Sequence, residues 1–86
     1  MHRENLSNLA ESVRRVLRRS SLRDVVTDVM IEPGAYEDDD VLRVTLVVSR
    51  PEMVDTEAAV KLIDRIRDEL SELDGRFSSV QFSEAA

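Results

Sequence analysis

The chain contains no cysteine and no tryptophan. Without thiols, neither a disulfide framework nor a thiolate metal site can form, a usage that fits a reducing compartment. Only two glycines and two prolines interrupt the 86 residues. That leaves too few for a glycine-rich phosphate loop. The one histidine, His2, stands at the start of the chain, a poor place for a general base or a metal ligand. No apolar run approaches the roughly 20 residues of a membrane span, and patches such as Leu46-Val47-Val48 are far shorter. Polar Met-His-Arg-Glu-Asn-Leu opens the chain, with no apolar stretch of signal-peptide length behind it. These absences lead to the expectation of a soluble, cytoplasmic protein with no membrane partner.

What is present reads as globular. Apolar residues make up 42% of the chain and charged residues 35%, too apolar a mixture for a disordered tail. A chain of this length has room for one core that buries about 60% of the unfolded surface. We therefore expect a single domain over residues 1–86, with an ordered core of about 5–83.

Charge is divided unevenly along it. The first 23 residues hold six arginines against Glu4 and Glu11, a balance of +4. The other 63 hold six basic and sixteen acidic residues, a balance of −10, for a net −6. Such a split provides either a basic surface for an acidic partner or a basic helix lying against an acidic one.

Hydrophobic periodicity gives the elements. Leu6, Leu9, Ala10, Val13, Val16 and Leu17 recur at helical spacing, with Asn5 or Ser7 as the cap and Ser20-Ser21 as the end. Arg14, Arg15, Arg18 and Arg19 fall in the last turns, where the helix dipole favours cations, and Glu11 precedes Arg15 at pairing distance. Asp24 to Glu32 alternates as a strand, placing Val25, Thr27, Val29 and Ile31 on one face and Val26, Asp28, Met30 and Glu32 on the other. Glu32-Pro33-Gly34-Ala35 suits a type II turn, and the acidic tip Glu37 to Asp40 follows it. A second strand from Val41 turns Leu42, Val44, Leu46 and Val48 inward and Val41, Arg43, Thr45 and Val47 outward, until Pro51 stops it.

Asp55 or Thr56 then caps a second helix, with Val54 stapled toward Ala59. Its inner stripe is Ala59, Leu62, Ile63, Ile66, Leu70 and Leu73, and Gly75 stands where a left-handed cap is wanted. Phe77 to Ser83 forms a short last strand with Val80 and Phe82 on one face and Phe77 on the other, and Ser83 to Ala86 frays. The order α-β-β-α-β defines an α+β two-layer sandwich: a three-stranded mixed sheet with two helices on one face.

Chemistry has little to draw on. Ser20-Ser21 and Ser78-Ser79 lack a base and a strained glycine turn, so no catalytic residue, cofactor or metal ligand is assigned. The consecutive acids Glu37 to Asp40 lack the alternation and central glycine of a calcium loop and read as a solvated hairpin tip. The arginine cluster, with Arg23, suits phosphates or carboxylates, or pairs with Asp64, Asp68 and Glu72 on the second helix.

With both helices on one side of the sheet, its other side exposes Val26, Met30, Val41, Val47 and Phe77 among Asp28, Arg43, Thr45 and Gln81. Tyr36, the only tyrosine, can anchor a partner from its loop. Partner binding is thus assigned to Arg14, Arg15, Arg18, Arg19, Val26, Met30, Tyr36, Arg43 and Val47.

The element order resembles that of ribosome-binding factor A and of type II KH domains, and Val25-Val26-Thr27-Asp28-Val29 with Glu32-Pro33 is similar to that factor's first strand. The Gly-x-x-Gly loop of RNA-binding KH modules has no counterpart, since Gly34 and Gly75 stand alone. The order also resembles the cytoplasmic domain of cation-diffusion transporters, without the histidines that bind metal there.

The functional expectation is a small non-enzymatic module that binds another protein, antitoxin-like or an adaptor, or itself as a homodimer through the open sheet face. The alternatives are an RNA- or ribosome-associated factor using the basic first helix, and a homodimeric structural or metal-sensing domain.

Overall fold

The computed structural model describes residues 5–33, 41–75 and 77–85. Its elements are α1 (Leu6–Arg18), β1 (Val26–Pro33), β2 (Val41–Val48), a 3₁₀ turn at Pro51–Met53, α2 (Thr56–Leu73) and β3 (Phe77–Glu84). The sheet order is β1-β2-β3, with β1 antiparallel and β3 parallel to β2. This is the expected α+β sandwich of order α-β-β-α-β.

Capping explains where both helices begin. Asn5 Oδ1 accepts from the Ser7 N–H at 2.7 Å, and Asp55 Oδ2 accepts from the Ala58 N–H at 3.1 Å. Each bond satisfies a donor that has no partner inside its helix. α2 leaves through Asp74, extended at φ −147° and ψ 136°, with its N–H still bonded to the Leu70 carbonyl.

Between the helices and the sheet lies one apolar layer. α1 supplies Leu9, Val13 and Leu17, α2 supplies Leu62, Ile66 and Leu70, and the loop after α1 supplies Leu22. Beneath them lie Val26 and Val29 of β1 and the alternating Leu42, Val44, Leu46 and Val48 of β2. Burying each of these larger side chains contributes roughly 1.5–3 kcal/mol, which is how so short a chain offsets its ordering entropy.

β1 departs from simple alternation. Val26 pairs with Val48 and Asp28 with Val47, so Thr27 is an extra residue, a β-bulge. The strand changes phase there. Val26 turns inward with Val29 and is only 7% exposed, whereas Thr27 turns out and donates its hydroxyl to the Val47 carbonyl at 3.2 Å. The expected placement of Val26 on the open face and Thr27 on the inner face is therefore reversed. Two further differences concern ends and flanks. β3 continues to Glu84 rather than fraying at Ser83. Ile63 is only partly buried and stands apart from the core cluster that holds its neighbours Leu62 and Ile66.

Candidate functional site

The helix-free face of the sheet is built from alternate residues of all three strands. Register arranges them in rows: Asp28, Val47 and Ser83; then Met30, Thr45 and Gln81; then Glu32, Arg43 and Ser79; and last Val41 with Phe77. Met30 is 50% and Phe77 63% exposed, while Val41 and Val47 are half-buried between their neighbours. Gln81 Nε2 donates to Thr45 Oγ1 at 3.4 Å across the middle row. Glu32 stands opposite Arg43, and both side chains are exposed. The surface thus alternates apolar side chains with polar ones.

The arginines of α1 do not form one patch. Residues four apart share a side of a helix, and residues one apart differ by about 100°. Arg14 and Arg18 accordingly line a depression against β1, with Leu17 and residues Val26 to Val29. Arg15 and Arg19 line the groove between the helices, with Arg65, Asp68, Glu69 and Glu72 of α2.

This groove, of about 390 Å³, holds cations and carboxylates together. Its mixed charge suits a phosphate backbone poorly. The expected ion pairs from α1 to Asp64, Asp68 and Glu72 do not form: among the described residues, the charges of the two helices approach without any contact inside 4.0 Å. Glu11 pairs with Arg18 at 3.3 Å, seven residues away, rather than with Arg15, which leans into the groove. Lys61 pairs with Glu57 at 3.3 Å. Both pairs are exposed and contribute at most about 1 kcal/mol each.

Of the residues assigned from sequence, the fold brings Met30, Arg43 and Val47 together on the open face. It buries Val26 in the core and divides the four arginines between two sides of α1. Tyr36 and the acidic run Glu37 to Asp40 lie outside the described residues. Among the described residues, no three carboxylate or histidine side chains come close enough to hold a metal ion. No described helix is long and apolar enough to cross a membrane.

Two features extend the assignment made from sequence. Phe77 is the most exposed of the large apolar side chains among the described residues, and alternation within its strand signals the face on which it lies. Arg65 joins Arg15 and Arg19 only because α1 and α2 pack side by side, which no local pattern could show.

No family model matches the chain, and no curated protein matches it in sequence. Among solved structures, it is similar to the C-terminal domain of MamB, a magnetosome protein of Desulfamplus magnetovallimortis BW-1. The TM-score is 0.50 and the identity 18%, over 92% of this chain and 93% of that one. At that identity the likeness concerns the fold, an α+β domain of the same extent.

Proposed function

We propose that this chain is a non-catalytic protein-interaction module, an adaptor or antitoxin-like partner that docks another protein on the open face of its sheet. The observation that carries this reading is the exposure of Met30, at 50%, on the sheet face that no helix covers, and of Phe77, at 63%, at the margin of that face where Arg67 of α2 reaches its ring. Large apolar side chains exposed on a small domain favour a partner, because covering them removes apolar area from water. Arg43, Glu32, Thr45 and Gln81 between them supply the polar contacts that fix orientation. The net charge of −6 favours a basic partner, which long-range attraction would bring to the surface faster.

Affinity capture from the native cell lysate tests this, using the wild type beside a Met30→Glu/Phe77→Glu double variant whose folding is checked by circular dichroism. The reading expects a discrete protein, retained by the wild type and lost from the variant. Recovery of the same proteins by both, or of none by the wild type, would count against it.

A further inference from the structure

We infer that the free edge of β3, together with the adjoining flank of α2, is a self-association surface on which a second copy of this chain adds its own β3 antiparallel about a twofold axis at Gln81. The inference concerns the sheet edge and does not rest on the docking of a partner on the sheet face.

The backbone fixes which groups are available. Ala85 donates its N–H to the Val48 carbonyl at 2.9 Å, so that amide points toward β2. Direction alternates along a strand, and the N–H and C=O groups of Ser79, Gln81 and Ser83 therefore point to β2 as well. Those of Ser78, Val80, Phe82 and Glu84 point to the opposite edge. Among the described residues no strand pairs there.

The two edges of the sheet differ. β1 carries the bulge at Thr27, ends in Pro33 and bears Asp28 and Glu32, devices that discourage pairing. Antiparallel copies of β1 centred on Met30 would set Asp28 against Glu32. β3 has none of these defences. Its sequence, FSSVQFSE, is uncharged up to Glu84 in a chain of which 35% is charged.

That strand is also complementary to itself. With Gln81 opposite Gln81 of the second copy, Val80 meets Phe82 and Phe82 meets Val80 as hydrogen-bonded pairs, and Ser78 meets Glu84. Every outward backbone group from Ser78 to Glu84 then finds a partner. No two charges face each other.

The flank of α2 adds apolar surface beside this edge. Its α1 side is taken up by the groove residues and its inner side by Leu62, Ile66 and Leu70. At about 100° per residue, Val60, Ile63 and Arg67 occupy the remaining side. Arg67 reaches the Phe77 ring of β3, which places this flank over the strand. Val60 is 52% exposed, and Ile63, Val80 and Phe82 are partly buried. The sheet twist of roughly 20–25° per strand turns the helices of the second copy away, so that the α2 flanks cross instead of lying flush.

Because the chain has no cysteine, the register can be read with single introduced thiols. Gln81→Cys places its sulfur opposite its own copy in a non-hydrogen-bonded pair, where about 4.5 Å between Cα atoms suits a disulfide. Ser79→Cys lies roughly 13 Å from its copy along the strand and serves as the control. Light scattering from about 10 µM to about 1 mM should show the wild-type mass rising toward that of a dimer. Gln81→Cys should cross-link at least roughly tenfold faster than Ser79→Cys, and Gln81→Lys should stay folded and monomeric by opposing two like charges. A monomer throughout the concentration range, equal cross-linking of the two thiols, or a dimer that survives Gln81→Lys would overturn the inference.

Discussion

The guanidinium of Arg67 lies over the ring of Phe77, 5.8 Å from its centroid. A cation at that range is drawn to the electron-rich ring face, and the contact ties α2 to the beginning of β3. Each partner is exposed, so Arg67→Ala should lower stability by only about 0.5–1 kcal/mol in urea unfolding. A cycle with Phe77→Leu would show a coupling of similar size, and additive effects would mean that the pair contributes nothing.

The bulge at Thr27 makes a sharper prediction. Deleting Thr27 should leave Val26 opposite Val48 and Asp28 opposite Val47 in an uninterrupted ladder, with inward and outward residues unchanged. Deletion should therefore preserve the cooperative unfolding transition. Val26→Asp should cost several kcal/mol, because it buries an unpaired charge at a site only 7% exposed. If the deletion is the more damaging of the two, the phase change is misplaced.

Ser78 is 5% exposed, and its hydroxyl is the one buried side-chain polar group among the described residues that finds no hydrogen-bond partner. A buried hydroxyl without a partner destabilises the fold by about 1–3 kcal/mol, part of which is recovered when the oxygen is removed. Ser78→Ala should be neutral or raise the melting temperature. A clear loss of stability would show that the hydroxyl is satisfied in solution.

These cases also show what the chain reveals before it is folded. The regular stripe of α1 and the alternation of Leu42, Val44, Leu46 and Val48 identify their elements because one local period decides burial. Val26 escapes that logic. Its orientation depends on the partner strand skipping a residue, and only the neighbouring Val25-Val26 doublet hints that the period breaks. The arginines escape it differently. Four residues that look like a cluster in sequence divide between the β1 side and the α2 side because the helix turns about 100° per residue. The open face was predicted in outline through Met30, Arg43 and Val47, since strand alternation alone settles those positions. The free edge of β3 was not, because it follows from strand order, a property of the whole sheet.

The most direct measurement of the proposed docking face is oxidative footprinting of methionine in the complex with the captured partner. Met30 and Met53 are similarly exposed, at 50% and 58%, but Met30 lies on the open face and Met53 in the turn between β2 and α2. Conversion to the sulfoxide follows access of the oxidant to the thioether. The account predicts that binding protects Met30 from peroxide while Met53 is oxidised as fast as in the free chain. Equal oxidation of Met30 with and without partner, or protection of Met53 alone, would contradict it.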